Sequence, residues 1–185
     1  LSHNEKYPFS TKELRAELKH TFWLLNRVAS AKALEKLLKN HPVFDSYEII
    51  LAAGDGRTTD DQIINQKSLD RVRDAIAEND RTITLSVGQL TTGVTVPEWT
   101  AVLMLSNMKS PSLYMQAAFR AQNPWEYEVN GEMHQKENAY VFDFAPERTL
   151  TIYDEFANNL SRKTSNGGGT TDDRRDNIRT LLNFF

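Results

Sequence analysis

Cysteine is absent from the 185-residue chain, which excludes a disulfide framework and a thiolate zinc site. Histidine is scarce. The four present (His3, His20, His41, His134) are scattered without ligand spacing, so no imidazole metal centre is expected. No apolar run approaches the roughly 20 residues that cross a bilayer, and no secretory leader is visible. A Gly-x-x-x-x-Gly-Lys-Ser/Thr phosphate loop occurs nowhere, and Gly54-Asp55-Gly56 lacks the third glycine of a dinucleotide fingerprint. Gly167-Gly168-Gly169 follows no strand and precedes no lysine, so it reads as a linker within a flexible joint over 165–170. Asp60-Asp61 and Asp172-Asp173 end no apolar strand and do not look like magnesium-holding acids. Glu17-Leu18-Lys19 has the spacing seen in some nucleases but no acidic partner upstream. Positive charge is not in excess either: Lys plus Arg is 22, Asp plus Glu is 25, and the net charge is −3. Any contact with nucleic acid must therefore come from a local basic face.

What is present is the composition of a globular domain, 39% hydrophobic and 25% charged, in a chain long enough for one real core and an appendage. The first residue is Leu1, and the last five are Leu181-Leu182-Asn183-Phe184-Phe185. An apolar run in that place is expected of a piece cut from a larger protein, and a cytoplasmic location is expected because nothing in the sequence suggests export.

Short apolar runs alternate with amphipathic ones. Ser10 with Glu13 suggests a capping box opening a helix through Lys19. Thr21–Leu25, Glu48–Ala52, Thr82–Val87, Ala101–Ser106 and Ala139–Phe144 read as strands. Val28, Ala31, Leu34 and Leu38 form a helical stripe between the first two, and Ser68 is expected to cap a helix after a polar loop over 57–67. Asn130-Gly131 suits a type I′ turn in a small hairpin over 126–136. A helix is expected over 147–160, then another from Asp172 that would belong to a following domain. The pattern predicts an α/β fold with a mainly parallel sheet of at least five strands. The expected division is a lead-in linker and helix over 1–20, the sheet domain over 21–146 and a helical extension over 147–185. In such sheets ligands bind beyond the carboxyl ends of the strands. Asn26-Arg27, Gly54–Gly56, Gly88–Gly93 and Ser106–Lys109 all fall there.

The most informative helix is Ser110–Trp125. Ser110 is a good N-cap, Pro111 fits the first helical position, and Pro124 disfavours continuation. Gln116, Arg120 and Asn123 are spaced i, i+4, i+7 and would share one face. A guanidinium on a packed helix is suited to phosphate charge. Alone, though, such a helix reads better as a solvated face with an ordinary surface arginine.

The order of features adds to this. A strand leads into Asn26-Arg27 and a helix. Another strand precedes Gly54-Asp55-Gly56. A third precedes Val87-Gly-Gln-Leu-Thr-Thr-Gly-Val-Thr-Val-Pro-Glu-Trp99, and a fourth precedes Gln116-Ala-Ala-Phe-Arg-Ala-Gln-Asn123. In this order, over roughly residues 20–145, the chain resembles the second RecA-like domain of superfamily 2 helicases and translocases. Among these it is most similar to the helicase part of type III restriction enzyme Res subunits and related restriction proteins. Phe22–Leu38 resembles motif IV, Gln89–Pro97 motif V and Gln116–Asn123 motif VI.

The resemblance implies a RecA-like three-layer fold and a motor that hydrolyses ATP with Mg2+. The nucleotide would be held mainly by a first RecA-like domain of the same parent chain, and double-stranded DNA would be the track. It implies that Arg120 is an arginine finger with Gln116 beside it at the γ-phosphate, and that Gly93, Thr95 and Asn123 lie at the nucleotide. Thr91 and Thr92 would contact the DNA backbone, as motif V threonines do, with capping of their own loop an equal alternative. Asn26 and Arg27, at the mouth of the first strand, suit a nucleic-acid contact or a turn, and Lys109 suits a phosphate contact less well than a solvated position before the helix cap. Thr95 stands where the family usually has Asp. Phe119 and Gln122 replace both glycines of motif VI, and Asn123 replaces its second arginine, which leaves Arg120 as the single finger. Without a phosphate loop, the chain alone is expected to bind ATP weakly and not to hydrolyse it. The alternative is an inert RecA-like scaffold or nucleic-acid-binding module. A nucleotide-binding oxidoreductase domain fits less well, because the glycine motif is incomplete.

Overall fold

Alternating apolar runs become a five-stranded parallel sheet because helices cover both of its faces. The computed structural model describes residues 7–53, 61–91 and 93–183. The strands are β1 (His20–Leu25), β2 (Glu48–Ala52), β3 (Thr82–Val87), β4 (Trp99–Met104) and β7 (Tyr140–Asp143), in the order β2-β3-β1-β4-β7. Central β1 is buried at all six positions and pairs in parallel with β3 and β4. The helices are α1 (Lys12–Glu17), α2 (Val28–Lys39), α3 (Asp61–Glu78), α4 (Pro111–Ala118), α5 (Pro146–Leu160) and α6 (Thr171–Leu182). A hairpin of β5 (Glu126–Val129) and β6 (Glu132–Gln135) turns at Asn130-Gly131, both at positive φ, as the sequence predicts.

The chain forms two compact units: residues 1–107 with 116–142, and residues 108–115 with 143–185. The core of the first is built on Trp23, Leu25, Ile49, Ile83, Leu85 and Leu103. Phe9, expected to lie in a linker, is part of it. Phe9 is buried, with its ring 5.1–5.7 Å from those of Trp23, Phe44 and Tyr47. Its positive φ turns the chain inward and moves the helix start by one residue. Thr11, not Ser10, is the N-cap of α1, accepting from the Leu14 N–H at 3.1 Å. The polar loop expected over 57–67 is also corrected. Helix α3 already runs from Asp61, and Ser68 lies buried inside it rather than capping it. Residues 54–60, including Gly54-Asp55-Gly56, are outside the described residues.

In the second unit the expected joint at 165–170 is ordered. A 3-10 turn spans Ser165–Gly167, and Thr170 forms a capping box with Asp173 at the start of α6. Buried Thr164 donates to the Asn158 carbonyl at 2.8 Å and accepts from the Asn177 amide at 2.8 Å. Gly169 has φ +76, and a Cβ there would stand 2.6 Å from the Thr164 methyl, so this glycine serves close approach rather than freedom. Helix α6, expected in a following domain, shares this unit with α5. Helix α5 buries Ile152, Ala157 and Asn158, and Leu160 at its end is exposed.

His20, at the amino end of β1, is buried, with Nδ1 3.0 Å from the Thr82 hydroxyl. Burial first, then nearby Lys19, pushes its pKa down to about 4. An unfolded histidine takes a proton below about 6.5, whereas the folded one resists until about 4. The unfolded state then binds more protons, and stability falls as pH drops through that window. We expect His20 to contribute a loss of about 3 kcal/mol by pH 4. Urea unfolding at a series of pH values, compared with His20→Gln, should show a shallower acid slope in the variant. Parallel slopes would contradict this.

Candidate functional site

The loop after β3 and the end of α4 form one hydrogen-bonded junction. Helix α4 begins as predicted: the Ser110 carbonyl accepts from the Tyr114 N–H at 2.9 Å, the Ser110 hydroxyl from the Leu113 N–H at 3.4 Å, and Pro111 is the first helical residue. It does not continue as an α-helix to Asn123. Residues Phe119–Gln122 tighten into a 3-10 turn, and Asn123 is extended at φ −65°, ψ 134°. The single face expected for Gln116, Arg120 and Asn123 is therefore corrected, because the 3-10 geometry rotates the later side chains and Asn123 has left the helix.

The tightened turn still joins these residues. Arg120 Nε donates to the Gln116 carbonyl at 3.0 Å, and one terminal nitrogen donates to the Val94 carbonyl. The Asn123 amide donates to the Arg120 carbonyl at 3.3 Å. Val94 is thereby tied to Gln116, Arg120 and Asn123, with Gly93 and Thr95 on either side of it in the chain. Gly93 has φ +68, which only glycine adopts without strain, and is exposed, as is Thr95. Arg120 is half-buried, and burial lowers its pKa below the usual arginine value; a guanidinium stays charged regardless. Of its five N–H groups, two serve these carbonyls, and the other three meet no acceptor among the described residues.

The other expected residues fall elsewhere. Asn26 and Arg27 are exposed beyond β1, and Arg27 is the N-cap of α2 without a side-chain bond. Thr91 is half-buried, and Thr92 is outside the described residues. Lys109 is exposed before α4, in the second unit. Among the described residues no cluster of His, Asp or Glu could hold a metal ion, and no helix is long and apolar enough to cross a membrane.

Two sets of supporting residues carry no obvious sequence signal. The first fixes the loop from α3. Buried Gln89 accepts from the Ser68 hydroxyl at 2.6 Å, and its carbonyl accepts from the Ser86 hydroxyl. Leu90, buried at φ +58, donates its N–H to the Asn65 side chain at 3.0 Å. A left-handed leucine is unusual, and Asn65 satisfies the amide it would otherwise strand. The spacing of Asn65, Ser68 and Val72 on one helix face was the available hint, hidden by starting the helix at Ser68. The second is Lys136, just past β6. Its ammonium donates to the carbonyls of Pro97 at 2.8 Å, Trp99 at 3.0 Å and Ala121 at 2.8 Å. Burial pulls its pKa down to about 8, against the attraction of Glu98.

The class defined by these features is an α/β domain with its candidate site on the loop after β3 and the turn after α4. No family profile matches the chain. It is similar to a Mycoplasma pneumoniae protein described as "Putative type II restriction enzyme and methyltransferase RM.MpnORF110P C-terminus", with 33% identity over 145 residues. That match covers 75% of this chain and 19% of the relative, so the chain spans about a fifth of that protein's length. Among solved structures it is similar to the C-terminal part of the Fun30 ATPase domain, at 16% identity and a TM-score of 0.44, over 93% of this chain and 50% of that one. A likeness that low carries no argument.

Removing the Asn65 acceptor exposes an unmet, buried N–H, which typically costs about 1–3 kcal/mol. Asn65→Ala should speed hydrogen exchange of the Leu90 amide tenfold or more, with amides of β1 and β3 unchanged. Unchanged exchange at Leu90 would show that Asn65 does not hold the loop.

Proposed function

We propose that this chain is the second motor domain of an ATP-dependent DNA translocase belonging to a restriction-type enzyme. The observation that carries the reading is the Arg120–Val94 bond. It joins the two segments whose sequences resemble motifs V and VI, and among the described residues three guanidinium N–H groups remain for an outside acceptor. The restriction setting is supported by the Mycoplasma pneumoniae relative, and it covers the resemblance to type III Res subunits as well as that type II description.

In this reading Arg120 meets the γ-phosphate of ATP held by a first RecA-like domain of the parent chain, with Gln116 beside it. Gly93, Thr95 and Asn123 form the near wall of the nucleotide cleft. The metal and phosphates are held mainly by that first domain. An arginine supplied across a cleft stabilises the charge of phosphoryl transfer by roughly 10³–10⁵ in rate, about 4–7 kcal/mol of barrier. Because it comes from a second domain, hydrolysis requires closure. Thr91, Thr92, Asn26, Arg27 and Lys109 supply contacts to the DNA backbone, which position the strand without reading its sequence. A cytoplasmic location goes with such a substrate.

The second reading is an inert scaffold. It is favoured by the two backbone acceptors that Arg120 already has, which would suffice for a purely structural arginine. Kinetics of the longer protein separate the two. Arg120→Ala should lower DNA-stimulated kcat for ATP by about 10³ or more, and Arg120→Lys should recover little, since an ammonium cannot reproduce the planar fork. Full ATPase activity in a folded Arg120→Ala protein would favour the scaffold.

A further inference from the structure

We propose that Lys136 is the positioning residue for Arg120, holding the 119–122 turn against the 93–97 loop. This rests on the reading of Arg120 as the phosphate contact. The three protons of the ammonium meet three carbonyls, and the carbonyls come from separate segments. Pro97 closes the loop that contains Val94. Trp99 is the first residue of β4. Ala121 directly follows Arg120 and is in the 3-10 turn. The last carbonyls of a helix lack intrahelical donors, and a cation there is favoured by the helix dipole. Lys136 meets that need for the turn from just past β6, 15 residues away in sequence. Its own backbone N–H donates to the Trp125 carbonyl at 2.8 Å, which anchors the lysine to the segment leaving the turn. Arg120 and Lys136 thus cross-link the same two segments in parallel, one through Val94 and the other through Pro97 and Ala121. Without the lysine, carbonyl oxygens of like partial charge would converge with no donor between them, and the turn would be free to draw Arg120 off its line.

The charged groups around Lys136 are few. Glu98 acts on it from the loop before β4, and Glu17, Lys19, His134 and Glu137 line the adjacent groove. A neutral amine has only two N–H groups, so deprotonation near pH 8 leaves one of the three carbonyls without a donor.

The test is side-chain hydrogen exchange on this chain, read by NMR at the Arg120 Nε–H and the amides of 119–123. Lys136→Met should speed their exchange tenfold or more at pH 6.5, with amides of β1 and β3 changed less than twofold. If that variant fails to fold, the wild-type protein decides. After correction for base-catalysed exchange, Arg120 protection should step down with a midpoint near pH 8. Lys136→Arg, which stays charged over that range, should show no step. In the longer protein the same step should appear as a fall in kcat for ATP above pH 8 at constant KM. Protection at Arg120 that ignores both the substitution and the pH would overturn the proposal. The exchange readings involve no nucleotide. An ATPase that survives Arg120→Ala would therefore sink the phosphate-contact reading and leave them standing, and the converse holds as well.

Discussion

The bond from the Arg120 guanidinium to the Val94 carbonyl is the constraint on which the candidate site depends. It crosses 26 residues of sequence, between two segments that the sheet delivers separately, one after β3 and one after β4. A guanidinium suits this place because it remains charged when half-buried and presents several donors in one plane. An acceptor on the loop side consumes one direction of that plane and sets the others. The arginine is therefore preorganised, and preorganised charge stabilises a transition state without paying for reorientation at the moment of reaction.

Support for that bond comes from three directions. Helix α3 fixes the start of the loop through Asn65 and Ser68, at the cost of a left-handed Leu90. Gly93 lets the chain turn beside Val94. Lys136 gathers the loop, β4 and the 3-10 turn from the hairpin side. Backbone strain and a half-buried cation are costly in a loop and persist where the surroundings over-determine them. Leu90, Arg120 and Lys136 bring such costs together around the Val94 bond.

Much of the fold was legible in the residues because strands buried on both faces read as continuous apolar runs. Phe22–Leu25, Ile49–Ala52 and Ile83–Leu85 could hardly be anything else. Ser110-Pro111 and Pro124 bounded the key helix for local steric reasons, and Asn130-Gly131 carried its turn type in its own chemistry. Where local signals compete with long-range packing, the reading went astray. Polar residues 61–67 look like loop, yet they continue a helix whose inward Asn65 serves Leu90. Gly167–Gly169 look flexible, yet Thr164 needs the space that a side chain would fill. Within the site, Gly93 and Arg120 could be picked out from their setting. The 3-10 tightening after Ala118 could not, nor could Lys136, because its partners are backbone carbonyls that have no sequence identity.

The central claim is that Arg120 is poised for a phosphate held by another domain. The most direct measurement is a structure of the longer protein with ADP, Mg2+ and a planar fluoride mimic of the transferring phosphoryl group. The account predicts an Arg120 nitrogen within about 3 Å of the fluoride, with the Val94 bond retained. A closed complex in which Arg120 still serves only Gln116 and Val94, and another cation meets the fluoride, would contradict it.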